Sequence, residues 1–260
     1  MDLGVKDKGY LVVGGTQGMG LATARVLAAE GARVAIAARN AERTEAMAES
    51  LSAEHGATVL PFSADANDAD ACRAMVDDAA AALGGLAGIC VTASGADPDG
   101  RSQWQTMFEA VLLGTVNAVD AAIPHLVAGG GGTIVTTSAY SIRDPHFVRL
   151  AYTSFKAAVA TYTKTIAKEY GSQGIRANCV APGAVETEAM HAMRGAIAEA
   201  KGWPYDEAIE RTMVEEWHMD IALARPGQPH EVGDLMAFLL SERAGYVTGA
   251  VVNIDGGTNF

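Results

Sequence analysis

Basic charge is scarce in this chain. Nineteen lysines and arginines stand against 31 aspartates and glutamates, a formal net charge of −12. That balance argues against nucleic acid or an anionic membrane surface as a partner, because both select clustered cations. Cysteine is scarce too: Cys72, Cys90 and Cys179 are odd in number and widely spaced. They fit neither a disulfide framework nor a metal-ligand pattern, and no metal site is expected. They read as buried, reduced thiols of a cytoplasmic protein. Long apolar runs are missing. The apolar stretches are strand-length, so no membrane-spanning helix is expected. The opening MDLGVKDKGY has no apolar core, so no export signal is expected. No linker, repeat or low-complexity block divides the chain, and 260 residues at 49% hydrophobic content suit one α/β domain.

What is present is alternation. Short apolar runs at 10–14, 33–37, 58–62, 88–92, 133–137, 175–180 and 251–254 read as strands. Alanine-rich stretches near 18–23, 40–55, 68–83, 102–127, 151–172 and 229–241 read as helices between them. Such βαβ rhythm predicts a doubly wound parallel sheet of Rossmann type with right-handed crossovers. Gly129 to Gly132 form a turn before a strand. The segment from about 188 to 223 breaks the rhythm and carries Met190, Met193, Met213, Met219, Trp203 and Trp217. A segment of this kind over the carboxyl edge of a parallel sheet is expected to be a lid, here over an apolar small-molecule substrate.

Two groups of residues carry chemistry. Gly14-Gly15-Thr16-Gln17-Gly18-Met19-Gly20 follows the first strand and opens a helix, where a dinucleotide pyrophosphate sits. Tyr152 and Lys156 lie four apart on one helix face. An ammonium beside a phenol favours the phenolate, and a phenol so tuned can exchange a proton with an alcohol or ketone. A hydride carrier and a proton shuttle together read as an oxidoreductase. The second strand ends in Ala38-Arg39-Asn40, with no acid to accept a ribose 2′-hydroxyl. Arg39 suits a 2′-phosphate, which favours NADP over NAD. Asp65 could cap the helix after the third strand. Arg143, His146, Arg149, His191, Arg194 and His218 could meet an acidic substituent, although each is expected at the surface.

In order and spacing, these motifs resemble the short-chain dehydrogenase/reductase family along essentially the whole chain. Gly14, Gly18 and Gly20 resemble its TGxxxGxG turn, with Val13 for the usual Thr. Tyr152 and Lys156 resemble its YxxxK pair. Ile175 to Gly183 resembles its strand-to-PG turn, and Thr187 follows Pro182 at the PGxxxT spacing. Val247 to Gly249 and Asp255 to Gly257 resemble its last strand.

The resemblance implies roles. Tyr152 would move the proton, and Lys156 would tune it and bind the nicotinamide ribose. Asp65 would hold the adenine amino group. Pro182, Gly183 and Val185 would meet the nicotinamide, and Thr187 its carboxamide or a phosphate. Ala93 and Gly95 would line the ribose side, in a Thr92-Ala93-Ser94-Gly95 that keeps only the Gly of the family's NNAG. The substrate-oxygen donor is displaced. The family's serine falls thirteen residues before the Tyr, where this chain has Ala139, so Ser138 and Ser141 are the candidates, Ser138 preferred. Val111 stands where the family's fourth catalytic residue, an Asn, would be. Asn117 is off that position and reads as packing. Related enzymes pair the long helices at 102–127 and 151–172 across two-fold axes, which implies a homodimer or homotetramer. Rival readings are an NAD-dependent secondary-alcohol dehydrogenase and a non-catalytic NADP-binding regulator.

Overall fold

Short apolar runs become the strands of one parallel sheet in the computed structural model, which describes residues 2–92, 104–143, 145, 150–216 and 221–258. They are β1 (Gly9–Val13), β2 (Arg33–Ala38), β3 (Val59–Ser63), β4 (Gly88–Val91), β5 (Gly132–Thr137), β6 (Ile175–Pro182) and β7 (Val251–Ile254). Their order is β3-β2-β1-β4-β5-β6-β7. Val12 pairs with Ile36 on one side and Cys90 on the other, so β1 lies inside the sheet, next to the central β4. Every residue of β1 and β4 is buried, which explains their unbroken apolar character.

The helices are α1 (Gly18–Ala29), α2 (Ala41–His55), α3 (Ala69–Ala82), α4 (Trp104–Met107), α5 (Gly114–Ala128), α6 (Leu150–Tyr170), α7 (Glu188–Lys201), α8 (Tyr205–Glu215) and α9 (Pro229–Leu240). Successive strand residues face opposite ways. Val12 and Ile36 therefore meet Leu27, Leu51 and Met236 from α1, α2 and α9 on one face. Leu11 and Ile89 meet Val76, Val119 and Ile166 from α3, α5 and α6 on the other. Each large apolar side chain so buried stabilises the fold by about 1.5–3 kcal/mol.

Several expectations need correction. The first helix extends from 18 not to 23 but to Ala29, because no stop signal precedes Glu30 and the left-handed Gly31 (φ 79°). Strand and helix ends elsewhere move by one or two residues. The helix expected over 102–127 is two α segments, α4 and α5, joined by a π turn at Phe108–Leu113. The run 104–128 is long and apolar enough to cross a membrane by length and composition, so the apolar stretches are not all strand-length. Its apolarity has a local cause: Ala118, Val119, Ala122 and Leu126 are wholly buried between α3 and the sheet.

The segment expected to interrupt the rhythm is helical over much of its length. Thr187 caps α7, its Oγ1 accepting from Met190 N, and left-handed Gly202 (φ 65°) ends it. Ile209 and Met213 of α8 then close on Met190, Met193 and Ile197 of α7, a small apolar cluster separate from the two main cores.

Candidate active site

The strand order reverses between β1 and β4, where helices leave toward opposite faces. A cleft of about 500 Å³ opens there at the carboxyl edge. Gly14, Thr16, Gln17, Gly18, Met19 and Gly20 line one wall, and Arg39 and Asp65 another. The glycines are required. Gly14 and Gly18 have φ of 87° and 51°, which other residues rarely adopt. A Cβ on Gly20 would come within 2.2 Å of Gly14 O and 2.4 Å of Thr92 Oγ1. The N-cap of α1, Gln17, makes no side-chain capping bond. The first-turn N–H groups thus face the cleft with the positive end of the helix dipole behind them, which fits a pyrophosphate.

The cleft also contains residues that sequence reasoning missed. Asn40 Oδ1 accepts from Arg43 N at 2.9 Å and starts α2. This start places Arg43 on the cleft, with Nε on Thr16 O at 3.3 Å and Nη2 on Glu188 Oε1 at 2.5 Å. An Asn at an N-cap position was a readable signal, and it would have put the first turn of α2 beside Arg39. Asn67 lines the cleft too, its N donating to Asp65 Oδ1 at 3.0 Å. Asp65 caps no helix, because Asp68 caps α3 instead. Asn117 Nδ2 donates to Ala66 O at 2.8 Å and so fastens α5 to this wall, a packing task. Ala93 and Gly95 lie outside the described residues.

Tyr152 and Lys156 lie on α6, with Lys156 Nζ 5.6 Å from the Tyr152 ring centroid. Lys156 is 2% exposed and donates to Thr137 O, at the end of β5, over 2.9 Å. Burial pushes its pKa down to about 8, against the opposing influence of the Cys179 thiol. Burial also raises the Cys179 pKa. Val111 is buried with Cys179, Val159 and Met107, so this neighbourhood is apolar where an Asn would have made it polar.

The serines divide. Ser138 Oγ donates to Lys156 O at 2.8 Å and is buried against α6. Ser141 sits on a 3₁₀ turn, Tyr140–Ile142, and its Oγ accepts from Thr153 Oγ1 at 3.0 Å. Accepting that bond leaves the Ser141 O–H as a donor. Ala139, at the spacing of the family's serine, is buried and has no hydroxyl.

Beyond β6, Gly183 N donates to Ile254 O, and a Cβ on Gly183 would lie 2.8 Å from Asp255 Cα. The chain therefore turns tightly after Pro182. Val185 bridges to Gly227, and Thr187 returns to the cleft beside Gly18. Arg194 is not a surface residue. It is 8% exposed and ion-paired with Glu186 and with Glu210, because α7 and α8 close over it. His191 and Arg143 are exposed. His146, Arg149, Trp217, His218 and Met219 lie outside the described residues. No cluster of His, Cys, Asp and Glu that could hold a metal ion occurs among the described residues.

Known proteins resemble this chain along nearly all of its length. Residues 13–259 match a family model described as enoyl-(acyl carrier protein) reductase. An uncharacterised oxidoreductase of Bacillus subtilis is 30% identical over 97% of this chain and 91% of its own. The cis-4-hydroxycyclohexanecarboxylate dehydrogenase of Sinomonas cyclohexanicum is 32% identical over 95% of this chain and 94% of its own. The L-sorbose reductase of Gluconobacter frateurii, solved with NADPH and L-sorbose, superposes with a TM-score of 0.89 at 27% identity, covering 98% of both chains.

Proposed function

We propose that this chain, which belongs to the short-chain dehydrogenase/reductase family, interconverts a ketone and a secondary alcohol with NADP(H). The observation that carries the reading is the buried Lys156 beside Tyr152, one turn apart at the end of β5. A bound nicotinamide supplies or accepts the hydride. Tyr152 gives its phenolic proton to the carbonyl oxygen on reduction and takes it back on oxidation. Lys156 holds the phenol ready by its charge, and its ammonium also serves the cofactor ribose. Ser141 donates to the substrate oxygen as charge develops there. Ser138 is assigned a structural task, because its hydroxyl proton is already given to Lys156 O.

The glycine turn and the N-terminus of α1 bind the pyrophosphate. Gly14, Thr16, Gln17, Gly18, Met19 and Gly20 cradle it. Asp65 faces the adenine, and Pro182, Gly183, Val185 and Thr187 face the nicotinamide. Arg39, with Arg43 behind it, supports NADP over NAD, since β2 ends without an acid. The structural neighbour with NADPH agrees with that choice. The segment 188–223 serves as the lid, and Met190, Met193 and Ile197 favour an apolar substrate: a 3-oxoacyl thioester, a steroid-like ketone or an aromatic alcohol. The protein works in the cytoplasm as a homo-oligomer.

One rival reading has a specific basis. Val111 and Ala139 replace two expected polar groups, which would suit a regulator that binds NADP without turnover. A panel of ketones and secondary alcohols, assayed with both nicotinamides by the absorbance of the reduced form, separates the two. Oxidation or reduction of any panel member supports the enzyme. Tight NADP binding with no turnover supports the regulator.

A further inference from the structure

The cations of the α7–α8 segment are all occupied. Between 188 and 216 the sequence has three, Arg194, Lys201 and Arg211, against seven acids: Glu188, Glu199, Asp206, Glu207, Glu210, Glu215 and Glu216. The segment therefore has a formal charge of −4, from seven acids less three bases. Each cation is held twice, by a carboxylate and by an aromatic face. Arg194 pairs with Glu186 and Glu210 and lies 5.7 Å from the Tyr205 ring. Lys201 pairs with Glu216 and lies 4.8 Å from the Trp203 ring. Arg211 pairs with Glu215 at 3.0 Å and covers the same Trp203 ring at 4.0 Å.

An anionic ligand approaching any of these cations would meet the repulsion of the carboxylate already paired with it. Glu199, Asp206 and Glu207 are exposed on the same segment and add an unfavourable field for any approaching anion. The interior of the segment is apolar: Met190, Met193, Ile197, Ile209 and Met213 pack together and offer no charge to a ligand.

We infer that the substrate is an uncharged ketone or alcohol free in solution, and that acyl groups on phosphate-bearing carriers are turned away by the α7–α8 segment. The inference rests on the ketone–alcohol reading above and selects among its substrate classes. A matched pair tests it: one 3-oxoacyl group as its N-acetylcysteamine thioester, which is neutral, and as its coenzyme A thioester, whose phosphates are anionic. At low ionic strength, kcat/KM for the neutral thioester should exceed that for the coenzyme A thioester by at least about tenfold, and added salt should narrow the gap. Glu199→Lys and Glu207→Lys should each raise coenzyme A thioester turnover and leave the neutral thioester within about twofold. Glu199 lies in the last turn of α7, where a cation suits the helix dipole, so that variant should fold. Equal kcat/KM for the two thioesters at low salt, or a coenzyme A advantage, would overturn the inference. A gap indifferent to salt and to both variants would also overturn it. Turnover of neither thioester, when other ketones are reduced, would reject thioesters altogether and leave the free ketone standing. Turnover of no ketone with either nicotinamide would instead bring down the underlying reading, and this one with it.

Discussion

Thr153 donates its hydroxyl proton to Ser141 across 3.0 Å, both side chains buried. The bond joins α6, one residue past Tyr152, to the 3₁₀ turn after β5, and it orients the hydroxyl proposed above to serve the substrate oxygen. Ser141→Ala should therefore lower kcat by roughly 10²-fold, the size of one lost transition-state hydrogen bond. Ser138→Ala should leave kcat within a few-fold and lower stability by about 1 kcal/mol. Thr153→Val should lower kcat with little change in KM, and Thr153→Ser should restore it. Steady-state kinetics on the four variants decides, and a greater rate loss from Ser138→Ala than from Ser141→Ala would reverse the assignment.

Tyr152→Phe should abolish turnover and leave nicotinamide binding intact, because the ring keeps its packing and only the proton carrier is lost. Fluorescence titration of the cofactor beside the rate assay checks both halves. More than a tenth of the wild-type rate remaining would mean that another acid moves the proton.

Arg39→Ala should weaken NADPH binding by about 1.5–3 kcal/mol, roughly 10- to 150-fold, and leave NADH nearly unchanged. Arg43→Ala should act in the same direction more weakly, since that side chain already pairs with Glu188. Calorimetric titration with both cofactors is the measurement. Equal losses for the two would return the choice to NAD.

Lys156 links stability to pH. Burial holds its folded pKa at about 8, below the ordinary lysine value of 10.5, so between these values the unfolded chain binds more protons. Stability from this group therefore rises with pH across that window, and the burial penalty is present in full below pH 8. Lys156→Met removes the group. The stability difference between wild type and Lys156→Met should move in favour of wild type by about 2 kcal/mol from pH 7 to pH 10. Urea unfolding of the two proteins at both pH values measures it, and a difference constant with pH would mean that Lys156 is not desolvated.

Self-association should follow from the apolar surface left on α4 and α6. Trp104 is 56% exposed and Leu150 62%, and Trp104 meets Phe155 edge to face at 5.8 Å. Light scattering at micromolar concentration should give a dimer or tetramer, and Trp104→Ser should shift it toward monomer. A wild-type monomer would refute the expectation.

The strands and the Tyr152/Lys156 pair were legible because each rests on local pattern. Apolar runs of strand length between alanine-rich stretches admit few folds, and a spacing of four on a helix fixes a face. Asn40 marked the start of α2 and so put Arg43 near Arg39, but the approach of Arg43 to Thr16 was not legible, because it depends on where α2 crosses the sheet. Arg194 was misplaced for a related reason. A charged residue on an amphipathic helix reads as exposed until a second helix, α8, supplies Glu210 to cover it. The serine question was undecidable from spacing, since Ser138 and Ser141 differ only in how the chain turns after Thr137. The lone Val111 gave no hint of the π turn around it, which is a backbone property that side-chain pattern does not encode.

That π turn sets the phase of the whole 104–128 run. Successive helical residues are separated by about 100° of rotation, so one residue more or less re-aims everything on one side of it. With Phe108–Leu113 wound wide, Met107 and Val111 face Ala151 and Cys179 while Val119 and Leu126 still face α3 and the sheet. Wound as an ordinary α-helix with the same number of residues, the run would swing one of these two faces out of its core. The segment thus acts as a phase adjuster, letting one continuous helix serve two packing partners whose positions do not share a helical repeat.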